Sequence, residues 1–344
     1  MEGRKNMNSR KIKIVILVIF IFVISGVVSY RYIERSFDSN RKTSFHKCMN
    51  IINAFETQES ERRDVTMKAE YFDVIKNAGF DSVRLPIRFS DYVDKETYIF
   101  NAEFINEIDY FIDYALQDDL SIILDFHDFE EIMDEPEKYN EMFVSIWNQL
   151  SERYKKYPDN LIFELLDEPK NNLRGELWNN YLKQGIETIR KSNKTRKVII
   201  GPDSSYSIDR LYNLFIPRDK NLILTFHYYY PIDFTFQGDE YHGEYEKETG
   251  VKWMGTEKDI NILQNKFDIV KKYSKENKIP VFLSEFGVNK IVSDPYRWQW
   301  IKTIRSEADS YNFSWGYWEF CSKFGIYDLE AHKWSTELRA LIPF

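Results

Sequence analysis

The stretch LIFELLDEPK, residues 161–170, is an apolar run that ends in two adjacent carboxylates, Asp167 and Glu168, followed by a proline. A short, continuously apolar run is what a strand looks like when both of its faces are covered, as in a parallel sheet flanked by helices. Seven further runs share this character: CMNII (48–52), DSVRLPI (81–87), SIILDFH (121–127), KVIIGP (197–202), NLILTFHYY (221–229), IPVFLSEFG (279–287) and FSWGYWEF (313–320). Amphipathic segments lie between them, at Met67–Ala78, Phe104–Gln117, Glu141–Lys155, Glu176–Lys191 and Lys258–Tyr273. Eight strands alternating with helices in one chain predict an α/β protein of the closed (β/α)8 TIM-barrel type rather than an open sheet. The longest connection, Tyr230–Gly255, is rich in aromatic and acidic residues. Connections of that length in a compact domain usually carry function.

Composition agrees with a globular fold. Hydrophobic residues make up 43% of the chain and charged residues 30%, with a net charge of −8. An acidic chain argues against a nucleic-acid partner. Aromatic residues reach 17%, including 23 Tyr and 26 Phe, which suits either an aromatic core or a ligand with flat apolar faces such as a sugar. The two cysteines, Cys48 and Cys321, show no zinc-ligand spacing, and no HExxH pattern occurs, so no metal site is expected. Cys48 opens the first strand and Cys321 follows the last. That places them at opposite ends of the barrel, and two free thiols are expected.

The N-terminus reads differently. Arg4, Lys5, Arg10, Lys11 and Lys13 precede the apolar run Ile14–Val28. A basic segment followed by an apolar run is the pattern of a signal peptide or an anchor. Counted to Tyr30, the run just reaches the roughly 17 residues that a membrane span requires. The expected organisation is residues 1–30 as signal peptide or membrane anchor, 31–43 as a polar tether, and 44–344 as the barrel. Either reading exports the barrel, secreted or held at the cell surface through the N-terminal segment.

In a strand–helix barrel the chemistry sits at the C-terminal ends of the strands. Those ends carry Asn53, Arg84, His127 with Asp128, Asp167 with Glu168, His227 with Tyr229, Glu285, and Trp318 with Glu319. Taken singly, a strand-end Glu more often caps the next helix, and a strand-end His is often a satisfied core partner. Together they converge on one rim. Carboxylates on the fourth and seventh strands suit glycosidic bond cleavage, where one group protonates the leaving oxygen and the other attacks. Arg84 suits the task of keeping a carboxylate ionised near Glu285. Trp318 offers a face on which a pyranose can stack.

The ordered motifs RLPIR, HDFEE, DEP, HYY, EFG and WEF resemble glycoside hydrolase family five, the cellulase family of clan A, from Cys48 to the C-terminus. HYYYPIDFTFQGDEY, SEFG and YWEFCSKFGIYD are especially similar to its bacterial endoglucanases and mannanases. The resemblance implies a retaining endo-β-1,4-glycosidase with Glu168 as acid/base and Glu285 as nucleophile. It implies substrate contacts from Asn53, Arg84, His127, His227, Tyr229 and Trp318. It implies a monomer that acts on a β-linked polysaccharide and uses no cofactor. The chain departs from the family pattern at Asp167, where the family has Asn, and at Asp128, where it has a second His; both are placed with the substrate-binding residues. Two other functions fit such a site: a glycan-binding barrel with impaired catalysis, and a hydrolase of amino-sugar glycans such as chitosan, whose ammonium would pair with Asp128 or Asp167. Two ionised carboxylates about 5 Å apart repel by about 3 kcal/mol at an effective dielectric near 20. Such a site relieves the cost by protonating one carboxylate or by holding a cation close by. A protonated Asp mimics the Asn of the family pattern, so the expectation is that the enzyme works best with a proton on Asp167 and has its optimum below neutral.

Overall fold

The computed structural model describes residues 43–55, 65–240 and 243–343. Eight strands close into one parallel barrel in sequential order: β1 (Lys47–Asn50), β2 (Ser82–Ile87), β3 (Ser121–Phe126), β4 (Leu161–Glu164), β5 (Val198–Ile200), β6 (Leu222–His227), β7 (Val281–Phe286) and β8 (Ser314–Tyr317). β8 pairs back onto β1, Trp315 with Lys47 and Tyr317 with Met49. The six principal helices are α1 (Glu70–Asn77), α2 (Ala102–Gln117), α3 (Pro136–Tyr154), α4 (Glu176–Ser192), α5 (Glu257–Asn277) and α6 (Tyr296–Tyr311). All eight expected strands are present. The helix α6 was not among the expected segments, and the β5–β6 crossover contains only short turns at Asp203–Tyr206 and Ile208–Asn213.

Local chemistry sets several boundaries. Asn101 caps α2 by accepting from the backbone N–H groups of Glu103 and Phe104 at 2.9 and 3.0 Å. Thr256 and Asp259 form a reciprocal capping box at the start of α5. Lys278 and Asn312 end α5 and α6 in the left-handed conformation.

Side chains alternate along each strand, so one set faces the helices and the other fills the barrel. The inward set changes character from bottom to top. Phe45, Cys48, Ile123, Ile162, Ile199, Ile223 and Phe282 form an apolar plug separate from the large cluster beneath the helices. Two residues further along the strands stand Asn50, Asp125, Glu164, Thr225 and Ser284, all buried. The plug thus supports a polar layer, and the polar layer supports the rim.

The expected leader, anchor and tether lie outside the described residues, except for Thr43. Among the described residues no helix is long and apolar enough to cross a membrane. Both cysteines are free thiols, as their placement at opposite ends of the barrel predicts.

Ile199 is fully buried in the plug. Ile199→Ala should lower unfolding stability by about 2–5 kcal/mol, read as a shift in the denaturant midpoint at constant m. A change below about 1 kcal/mol would mean that the plug is not close-packed.

Candidate active site

The strand ends open into a cleft of about 1070 Å³. Asn53, His127, Asp128, Asp167, Glu168, His227, Tyr229, Glu285 and Trp318 all line it. Asn53, Asp128 and Glu168 have positive φ, at 62°, 51° and 44°. That region is unfavourable for side chains other than Gly, Asn and Asp, so Glu168 is held there by its surroundings. The β6–β7 register slips between Phe226 and His227, bringing His227 opposite Glu285. Such bulges re-aim side chains at functional rims. Gly287 follows directly: a Cβ there would lie 2.0 Å from the carbonyl oxygen of Trp318, so only glycine lets β7 and the cleft-lining Trp318 approach this closely.

Arg84 was expected beside the sugar. It is instead fully buried beneath the floor and reaches the site through the carboxylates it holds. Its Nε and Nη2 donate to Glu164 at 2.7 and 3.1 Å. Nη1 donates to Glu285 at 2.7 Å and to the Asn50 side-chain oxygen at 3.1 Å. Nη2 also donates to Asp167 at 2.7 Å and lies 2.9 Å from Asp125. Asn50 is itself fixed by donating to the backbone oxygens of Ser284 and Tyr317 at 3.0 Å. The repulsion between Asp167 and Glu285 is therefore met by a shared guanidinium, with His127 Nδ1 a further 3.3 Å from Asp167. Of the two ways to relieve that repulsion, the structure supplies a cation, one guanidinium shared among four carboxylates.

Asp125, Glu164 and Asn50 were not singled out in the sequence. The available signal was period two: Asp125 stands two residues before His127 and faces the same way. Burial pushes Asp125 up to about 7 despite Arg84, and its Oδ1 has no hydrogen-bond partner. Burial likewise raises Glu164, against the pull of Arg84.

The two histidines connect this layer to the cleft. His127 Nδ1 lies 2.6 Å from Asp125, and its ring stacks on Trp318 with centroids 5.7 Å apart. Burial disfavours its charge, but Asp167, Asp128 and Asp125 more than reverse that and raise it well above 6.5. His227 Nδ1 lies 2.8 Å from Glu168 Oε1 and 3.4 Å from Glu285 Oε2. Burial lowers its pKa, yet Glu285, Glu168 and Asp167 raise it to about 9. Burial would raise Glu168, but the hydrogen bond and charge of His227, with Lys170, bring it down to about 2. Glu285 is raised by burial, which His227 and Arg84 only partly offset. Tyr229 donates its hydroxyl to Glu285 Oε2 at 2.9 Å.

Trp318 and Glu319 have separate tasks. Trp318 lines the cleft. Glu319 is fully buried and accepts from the backbone N–H groups of Cys321, Ser322 and Phe324 at 2.8 to 3.1 Å, fixing the following loop. Asn53 donates to the Ser322 hydroxyl of that loop at 2.8 Å. The connection after β6 contributes Tyr230, Ile232, Phe236, Asp239 and Tyr245 to the cleft wall, as its length and composition predict.

Two buried trios, Asp125–His127–Asp167 and Asp167–His227–Glu285, bring ligand atoms close enough for an ion. In both, Arg84 already donates to the carboxylates, so the donor set is organised around a guanidinium.

A barrel with facing carboxylates above a buried arginine defines a glycosidase-type site. The family model "Cellulase (glycosyl hydrolase family 5)" matches residues 44–324. The chain belongs to this family. It is 31% identical over 278 residues to Endoglucanase H of Acetivibrio thermocellus, covering 78% of this chain and 29% of that protein. It is 30% identical over 247 residues to Endoglucanase A of Clostridium longisporum, covering 66% and 46%. The chain thus spans less than half the length of either. Among solved structures it superimposes on the Clostridial cellulose synthase subunit Z of Clostridioides difficile with a TM-score of 0.86 and 45% identity, over 87% of this chain and 100% of that one. It superimposes on Thermotoga maritima Cel5A with mannotriose with a TM-score of 0.85 and 37% identity, over 89% and 99%. The cellobiose complex of Cel5A gives 0.84 and 38%, over 87% and 97%.

Glu164→Gln keeps the shape but removes the charge that grips Arg84 through Nε. It should lower kcat/KM by loosening the guanidinium that aligns Glu285. The acid limb of the pH profile should shift while the far-ultraviolet circular dichroism stays unchanged. A wild-type profile would show that Glu164 does not set Arg84.

Proposed function

We propose that this protein is a retaining endo-β-1,4-glucanase with Glu285 as nucleophile and Glu168 as acid/base. The observation that carries the reading is the single His227 nitrogen that contacts both carboxylates. The two oxygens it contacts can be no further apart than the sum of those contacts. Two carboxylates held on one histidine nitrogen lie close together, which supports the roughly 5–5.5 Å separation of a retaining pair over the roughly 6.5–9.5 Å of an inverting one.

Glu285, aligned by Arg84 and Tyr229, attacks the anomeric carbon as the glycosidic C–O bond breaks. Glu168 gives its proton to the departing oxygen. A water then attacks the same carbon, Glu168 takes its proton, and the bond to Glu285 breaks. The balance of charges in the free site puts the acid's proton on His227 rather than on Glu168. The pair shares that proton across a 2.8 Å hydrogen bond, and Glu168 carries it when it donates to the leaving oxygen.

The neighbour bound to mannotriose supports β-mannan as a second substrate of the same cleft. The basic and apolar segment of residues 1–30 supports export, as a secreted or surface-anchored enzyme. A mature chain that starts near Tyr30, found by mass spectrometry, would select the secreted form.

Glu285→Ala should reduce hydrolysis of a chromogenic β-1,4-glucan by about 10³-fold or more while oligosaccharide binding persists. Azide should restore turnover and give a glycosyl azide of inverted configuration. Residual wild-type-like activity would remove Glu285 from the reaction.

The pH profile follows from the same groups. Glu285 must be ionised, and its pKa is raised, so the rising limb lies above 4.5. The shared proton is lost as pH rises through about 9, so the falling limb lies there. His227→Gln should move the falling limb toward neutral, and an unmoved limb would assign the proton elsewhere. Asp167→Asn should lower kcat/KM, since it removes one of the carboxylates that hold Arg84 against Glu285.

A further inference from the structure

The cleft has an uneven charge. Among the described residues eight carboxylates line it, against three lysines. Each lysine is already committed: Lys170 to Glu130 at 2.8 Å, Lys266 to Asp209 at 2.6 Å, and Lys323 to Glu240 at 3.0 Å. The nearby Arg88 is held by Asp91 and Glu131 at 3.2 and 3.0 Å, and Arg84 by the carboxylates of the floor. The excess is not confined to this wall. Residues 1–42 hold nine basic and three acidic side chains, so the barrel is more acidic than the chain's net −8. Independently of charge, the cleft is built for a ligand: His227 lines it, is more than nine-tenths buried, and its Nε2 has no hydrogen-bond partner.

Of the described acids near the reacting centre, Asp128 alone has room for another cation. Asp167, the other residue expected to meet an ammonium, is buried and taken by Arg84 and His127. Glu168 is occupied by His227. The Asp128 side chain is 42% exposed, and its ion-pair contact with His127 Nε2 is a long one at 3.9 Å. The walls of the cleft still raise its pKa by burial, against the pull of His127, so a cation bound there also restores its charge. The same imidazole stacks on Trp318. Asp128 and Trp318 both contact this ring and both line the cleft, so a charged substituent on a glycan bound there enters the field of Asp128.

Resting on the hydrolase reading above, the geometry points to β-1,4-glycans bearing ammonium groups as substrates this cleft favours over anionic ones, with Asp128 as the specificity-determining residue. A carboxylate on the polymer enters a cleft with no uncommitted lysine or arginine among the described residues. An ammonium gains Asp128 and the field of the surrounding acids.

Three polymers of matched length and substitution test this: hydroxyethyl cellulose, its trimethylammonium derivative, and carboxymethyl cellulose. At about 10 mM salt, where the Debye length is about 30 Å, kcat/KM should favour the cationic over the anionic polymer by about tenfold or more. In about 1 M salt, where it is about 3 Å, the preference should fade. Asp128→Asn should cut the cation-to-anion ratio by about threefold or more, and Asp128→Glu should retain it. A ratio near one in the wild type, or one that Asp128→Asn leaves alone, overturns the proposal. Turnover of neutral hydroxyethyl cellulose separates the two levels. Hydrolysis of it with no charge preference sinks only the specificity, whereas no hydrolysis of any polymer sinks the hydrolase reading on which it rests.

Discussion

One guanidinium holds the site together. Arg84 is buried without access to water, and its donors are divided among Glu164, Asp125, Asp167, Glu285 and Asn50. A buried arginine is tolerable only when its donors are met, and buried carboxylates only when a cation or proton balances them. Each condition is satisfied by the other side of the same cluster. The geometry of Glu285 is thus a by-product of solving a burial problem. The guanidinium is planar and rigid, so Asp167 and Glu285 are fixed relative to each other as well as neutralised. A lysine would supply the charge without that fixed angle.

The protons in this cluster are shared rather than owned. Six carboxylates, Asp125, Asp128, Glu164, Asp167, Glu168 and Glu285, sit around one arginine and two histidines. Burial raises Asp125, Glu164 and Glu285, while the histidines are raised by the same carboxylates. The carboxylates raised by burial and the histidines raised by carboxylates thus depend on one another, and a charge change at one is felt by its neighbours.

Much of this was legible in the sequence, and what was not has physical causes. Eight apolar runs gave eight strands because a strand covered on both faces leaves little choice of composition. The strand-end residues were legible because polar groups at the end of such runs are conspicuous. Asp125 and Glu164 were hidden for the opposite reason: they lie inside the runs, and one charge among apolar neighbours reads as noise until its inward parity is counted. The fate of Asp167 could not be read at all. Whether a second carboxylate is protonated or paired depends on a through-space partner more than eighty residues away in the chain. The helix α6 escaped notice because Arg297 is buried on its inner side, with Nη1 3.2 Å from Glu337, so its pattern lacks a clean apolar stripe.

The apolar plug inside the barrel and the large cluster under the helices are separate contact networks. The wall of strands divides them, with each strand contributing alternate side chains to either side. Substitutions among the helix-facing residues repack a compartment that shares no side-chain contacts with the plug on which the catalytic layer stands. From the helix side the site is reached instead through backbone contacts, such as the one Trp147 Nε1 makes to the carbonyl oxygen of Leu165. The seven side chains of the plug form the small vocabulary that has to stay consistent if the chemistry is to survive.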